Sequence, residues 1–382
     1  MDFSLTEEQR LLQESVQRFV QDSYSFEQRR AIMANPEGFS REVWSQFAEM
    51  GWLALPFDEA DGGLGGGPVD TLVMLEALGE GLVVEPLVAT VLLAGRALAQ
   101  AGDDTQKAEW LAALMEGRLL AALAVYERRG RHAPDWVETR AARVGDSWRL
   151  DGSKSAVLHG ACADLLLVSA RTAGSPEEPK GISLFAIPAD TPGVSRTPWQ
   201  TIDGLQACEL TLEAVKLPGE ALVGEQDDGL WQVETVLDEA AAALCAEAVG
   251  AMSALTRITA DYLRQRKQFG QPLAAFQVLQ HRMADMSMET ERARSLAILA
   301  ALYARSEDTA TRERAVSAAK FQAGRSGRFV GQQAVQLHGG IGISDELSVG
   351  HYFKRLTALD ARLGSADWHL TRFAARPVAV AG

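Results

Sequence analysis

Apolar residues Leu11, Leu12, Val16, Phe19 and Val20 recur at helical spacing behind Thr6, and Gln9 three residues after Thr6 completes a capping box. The chain is therefore expected to open with an amphipathic helix. Further helices are predicted over residues 41–50, 69–81, 88–100 and 104–116. Near Leu119 the pattern shortens to apolar, β-rich segments at 120–126, 136–144, 148–150, 165–169, 182–188, 193–197 and 208–215. Gly, Pro and Asp turns separate them, which predicts a small antiparallel barrel or sandwich rather than βαβ units. From about Gly229 the pattern is helical again, in four long segments reaching Ala375. The first of these, over residues 230–264, has no proline and is rich in Ala, Leu and Glu, and it must stop where Gly270 and Pro272 forbid continuation. Three domains follow from this: an N-terminal α-helical domain over 1–118, a middle antiparallel β-barrel over 119–226 and a C-terminal four-helix bundle over 227–382. No internal repeat is present.

Composition changes this picture little and excludes several functions. The 382 residues are 47% hydrophobic and 23% charged, as in an ordinary globular protein with two or three cores. A formal charge of −14 argues against nucleic acid and against anionic membrane surfaces as partners. Cys162, Cys208 and Cys245 are odd in number and have no CxxC spacing, so neither a disulfide framework nor a metal site is expected, and a reducing cytoplasm is. The acidic, amphipathic N-terminus does not resemble a signal peptide, and no apolar run has the length of a membrane span.

Candidate chemistry lies in two glycine-containing corners. Phe269-Gly-Gln-Pro272 turns between two helices and gathers Arg266, Lys267, Gln268 and Phe269, a delocalised cation, amide donors and an aromatic face suited to an anionic, planar ligand such as a nucleotide. The same residues also fit an ordinary helix hairpin with a solvated basic end. Gln336-Leu-His-Gly-Gly-Ile-Gly342 follows another long helix, and its three glycines let backbone N–H groups approach a phosphate. A third glycine-rich stretch, Asp58 to Pro68, lacks the Lys-Ser/Thr of a phosphate loop and reads as a plain turn.

Arg-x-x-Phe-Gly followed seventy residues later by Gln-x-x-Gly-Gly resembles the paired signature of the acyl-CoA dehydrogenase family. Thr6-Glu-Glu-Gln-Arg-Leu, Glu59-Ala-Asp-Gly-Gly-Leu-Gly65, Asp151-Gly-Ser-Lys154, and Leu237-Asp238 with Gly250 extend the resemblance over nearly the whole chain. It implies helical, β and helical domains in that order, FAD as cofactor, an acyl-CoA substrate and an electron-transfer acceptor protein. The implied reaction removes a β-hydride to the flavin and an α-proton to a carboxylate, giving a 2-enoyl-CoA. It also implies that each FAD is shared between subunits: one chain's β domain holds the isoalloxazine, and its neighbour holds the pyrophosphate and adenosine. By this resemblance Arg266, Gln268, Phe269, Gln277, Gln336, Gly339 and Gly340 contact the FAD of a partner subunit.

The other half of the family's pattern is degraded. Where members show Thr-Glu-Pro-x-(Ala/Gly)-Gly-Ser-Asp, this chain has Tyr126 to Asp135 and keeps Glu127 with Asp135; where they show Trp-Ile-Thr/Ser-Asn-Gly, it has Ala156 to Gly160. The two positions that carry the base in different branches are Leu363 and Ala240. Glu247, seven residues beyond Ala240, lies on about the same helical face roughly 10 Å along the axis and is the candidate base; if buried among its apolar neighbours it is expected to have a raised pKa, whereas a Glu on an Ala-rich helix also fits a solvated face or a pair with a nearby Arg. Asp238, Glu239 and Asp360 are weaker candidates. The chain thus resembles the small subunit of heteromeric bacterial enzymes of the pimeloyl-CoA type, expected to pair with a larger acyl-CoA dehydrogenase subunit. A self-sufficient homotetramer using Glu247, and a catalytically silent scaffold, are the alternatives.

Overall fold

Residues 4–376 are described in a computed structural model; residues 1–3 and 377–382, the outer limits of the first and last expected domains, lie outside them. In chain order the first helices are α1 (Glu7–Ser23), α2 (Phe26–Met33), α3 (Arg41–Glu49) and α4 (Pro68–Glu80). A π-helical stretch, Val88–Gly95, leads into α5 (Arg96–Ala101), and a second, Lys107–Leu111, joins α6 (Asp104–Gln106) to α7 (Ala112–Met115). The strands are β1 (Ala121–Ala124), β2 (Arg140–Val144), β3 (Ser147–Leu158), β4 (Leu165–Arg171), β5 (Ile182–Pro188), β6 (Val194–Gln200), β7 (Gln206–Pro218) and β8 (Leu222–Val223). Then come α8 (Gly229–Gln265), a short hairpin of β9 (Lys267–Gln268) and β10 (Gln271–Pro272), α9 (Gln277–Tyr303), α10 (Thr309–His338), α11 (Ser348–Ala361) and α12 (Ala366–Ala375). Helices, sheet and helices follow one another as the periodicity predicts.

These elements gather into two compact units that interleave along the chain. One comprises residues 32–67 and 84–240 and contains the sheet, with strands in the order β6-β7-β3-β2-β4-β5-β8 and β1 beside β4. The sheet is mixed rather than wholly antiparallel, because β1 and β2 both run parallel to β4. Residues 125–164 lie between β1 and β4, and residues 145–164, which include β3, lie between β2 and β4; a parallel pair needs such an intervening stretch where a hairpin cannot serve. Its core includes Trp148, Leu150, Leu166, Val168, Phe185, Ile187 and Leu210, with Trp148 and Phe185 edge to face at 5.2 Å. The strand expected at 136–144 begins only at Arg140, and β3 runs on to Leu158, past its expected end.

Among the described residues the other unit comprises 4–31, 68–83 and 241–376. Thr6 Oγ1 accepts from the Gln9 amide at 3.2 Å while Gln9 Oε1 accepts from the Thr6 amide at 3.1 Å, the reciprocal cap expected for α1. Helix α2 escapes the apolar pattern because its one buried residue is Arg29, whose Nε donates to Leu82 O at 2.8 Å. Helices α4 and α8 cross at backbone contact: a Cβ on Gly79 would collide with Glu247 O, and one on Gly250 with Glu76 O. Helix α8 is long and apolar enough to cross a membrane by length and composition, but most of its apolar stretch is buried, as in a core helix.

Inside this unit Lys320 of α10 is buried and donates to Leu359 O at 2.7 Å. Burial pushes its ammonium down from 10.5 to about 8. Between about pH 8 and 10.5 the unfolded chain therefore holds a proton that the folded chain has released, so this lysine makes stability rise with pH across that window. Urea midpoints at both ends of the window are expected to show a smaller alkaline gain in Lys320→Met than in the parent; equal gains would refute the assignment.

Candidate nucleotide cradle and base positions

The end of α8 is shaped by two successive left-handed residues. Phe269 has φ +52° and Gly270 φ +83°, and they form the two-residue loop of the β9–β10 hairpin, with Gln268 facing Gln271 and Lys267 facing Pro272. Glycine suits that geometry; phenylalanine pays for it with backbone strain and is nevertheless 89% exposed. Leu273 N donates to Arg266 O at 2.8 Å, closing the base of the turn. Arg266, Gln268 and Gln277 are exposed, and the Arg266 side chain makes no ion pair among the described residues.

At the end of α10, Gly339 has φ +64° and starts a short 3-10 turn, Gly339–Ile343. Gln336, Gly339 and Gly340 are exposed, and a Cβ placed on Gly270, Gly339 or Gly340 would meet nothing within 4 Å. The two turns are brought together by Tyr262 and His338, whose rings stack at 4.4 Å, while Tyr262 Oη donates to His338 O at 3.3 Å. A guanidinium, carboxamides, an exposed aromatic and open glycine backbone are a donor set that fits the pyrophosphate and adenosine of FAD.

The stretches that stand where the resemblance puts the flavin-ring motifs lie in the sheet-containing unit. Glu127 is committed elsewhere: it accepts from Lys154 Nζ at 2.7 Å and from the amides of Glu138 at 2.6 Å and Thr139 at 3.1 Å. Burial pushes its pKa up, but the Lys154 charge and these bonds outweigh that and hold it below the ordinary carboxylate value. Burial in turn pushes Lys154 down to about 8, and its Nζ also donates to Ser169 Oγ at 3.0 Å. At the end of β3, Ala156 and His159 keep left-handed backbones with φ +54° and +50°, so the bend remains while indole and hydroxyl are missing. His159 is buried edge-on to Phe39 at 6.5 Å.

Both base positions are apolar and buried. Ala240 is fully buried, and Leu363 sits at φ +52° in the turn before α12, where its carbonyl meets His369 Nε2 at 2.9 Å. Glu247 is buried, yet it is not an isolated carboxyl: Arg355 Nη1 reaches its Oε1 at 2.5 Å and also Val83 O at 3.1 Å. Glu239 pairs with Arg96 at 3.2 Å, Asp238 is buried, and Asp360 accepts from Arg328 at 2.9 Å and from the Ala366 amide at 2.9 Å. The sequence allowed Glu247 an arginine partner but did not point to Arg355, because nothing in its local pattern distinguishes a buried ion-pair partner from a solvated cation.

Three descriptions match consecutive parts of the chain: the acyl-CoA dehydrogenase N-terminal domain over residues 6–118, the middle domain over 122–215 and the C-terminal domain over 227–377. A short-chain specific acyl-CoA dehydrogenase of Megasphaera elsdenii is 30% identical over 93% of this chain and 94% of its own. Among solved structures, a Tcur3481-Tcur3483 steroid ACAD variant is 31% identical with a TM-score of 0.86, covering 97% of both chains. The ChsE4-ChsE5 complex from Mycobacterium tuberculosis is 28% identical with a TM-score of 0.89, covering 98% of both. Matched from end to end in sequence and architecture, the chain belongs to the acyl-CoA dehydrogenase family, flavoprotein oxidoreductases that bind FAD and act on acyl-CoA.

Proposed function

We propose that this chain is the dependent subunit of a heteromeric acyl-CoA dehydrogenase, gripping the nucleotide end of an FAD whose ring is housed in a larger partner chain. The observation that carries this is an asymmetry: the nucleotide cradle is open and unused by the chain's own fold, while both base positions are apolar and buried. When bound, FAD accepts the hydride released from the acyl-CoA. In this reading Arg266 neutralises the pyrophosphate, Gln268, Gln277 and Gln336 offer amide hydrogen bonds, Phe269 offers a stacking face, and Gly339 and Gly340 present backbone N–H groups. The α-proton goes to the partner's own carboxylate. Similarity to the ChsE4-ChsE5 complex, an assembly of two named proteins, supports an unlike pair. Three free cysteines suit the reducing cytoplasm.

Expression alone and with the larger chain tests this. The lone protein is expected to be colourless, and the co-purified pair yellow and able to reduce its flavin with an acyl-CoA. Stoichiometric FAD in the lone chain would overturn the reading, and a yellow pair that no acyl-CoA reduces would favour a silent scaffold.

A further inference from the structure

Two turns separated by about seventy residues must hold a fixed spacing if they are to grip one nucleotide, and the hairpin loop 269–270 and the glycine turn 339–343 are each open to solvent. Among the described residues a side-chain junction couples them. Tyr262 lies in the last turn of α8, four residues before Arg266, and His338 is the last residue of α10, immediately before Gly339. Their rings stack at 4.4 Å with 26° between the planes. Tyr262 Oη donates to the carbonyl of His338, one of the orphan acceptors at a helix C-terminus and part of the peptide that leads into the left-handed Gly339. His338 is itself fixed: its Nδ1 lies 2.8 Å from Ala334 O, so Nδ1 carries the hydrogen and donates, and burial pushes the imidazole down, keeping it neutral.

We propose that Tyr262 and His338 form a clasp that pre-sets the two nucleotide-binding turns against each other, making both of them positioning residues for FAD in the assembled enzyme. This rests on the shared-FAD reading above. The hydroxyl holds the 338–339 peptide in the orientation that presents the glycine N–H groups, and the stacked rings hold the two helix ends together. Without the clasp the 338–339 peptide and the spacing of the two turns must be ordered when FAD binds, which costs affinity without removing a direct contact.

The test uses the two-chain complex, with FAD as the probe and flavin fluorescence on release as the readout. Tyr262→Phe keeps the ring and removes one hydrogen bond, and is expected to speed FAD loss about three- to tenfold with an unchanged melting temperature of the lone chain. His338→Leu, which loses the stack, is expected to speed it further. Arg266→Ala sets the scale as a direct contact. If Arg266→Ala releases FAD while Tyr262→Phe and His338→Leu release it at the parent rate, the clasp is refuted and the shared site stands. If all three retain FAD like the parent, the shared site is refuted and the clasp with it. Should His338→Leu fold poorly, the Tyr262→Phe rate alone decides.

Discussion

Arg355→Met is expected to destabilise the chain by about 3–5 kcal/mol, the range for removing one partner of a buried ion pair. The side chains of Arg355 and Glu247 are 2% and 8% exposed, so the substitution strands a carboxylate in an apolar helix face and leaves Val83 O without its donor. Replacing both, as Glu247→Leu with Arg355→Met, is expected to return most of the loss, because the cost lies in the uncompensated charge. Urea unfolding of the three variants checks this; an Arg355→Met midpoint equal to the parent's would show that the pair does not stabilise the fold. The same pair bears on catalysis. A carboxyl that is buried against a buried guanidinium, with one oxygen already taken by it, suits a structural strut better than a proton shuttle. Glu247→Gln in the assembled enzyme is therefore expected to leave turnover intact; abolished turnover at full FAD content would establish the self-sufficient reading instead.

The second large effect falls on the cofactor. In the two-chain complex, Arg266→Ala is expected to weaken FAD binding about 10- to 150-fold, the range for losing hydrogen bonds to a charged group. Arg266→Lys keeps the charge but loses the planar fork, so an intermediate loss is expected. Because Arg266 is exposed on its own chain, added salt should weaken FAD retention in the parent more than in Arg266→Ala. Equilibrium dialysis against FAD at two ionic strengths measures both effects. Parent-like retention by Arg266→Ala would place the pyrophosphate elsewhere.

Much of the architecture was legible because periodicity survives folding. The capping box at Thr6, the unbroken α8 and the corner at Gly270 follow from local propensity alone. Helix α2 was not legible, since its buried face is an arginine reaching Leu82 O. Nor was the true start of β2, because residues 127–138 are drawn into a loop around Glu127 by amide and Lys154 bonds that no window of sequence contains.

What the sequence determined unaided was the family and the absence of a carboxylate at Ala240 and Leu363, because residue identity at a motif position carries that chemistry directly. Only the tertiary structure decided that Glu247 faces Arg355, that β1 and β2 run parallel to β4, and that Tyr262 meets His338. Those are pairings between residues far apart along the chain, set by how helices and strands pack, and local sequence has no term for them.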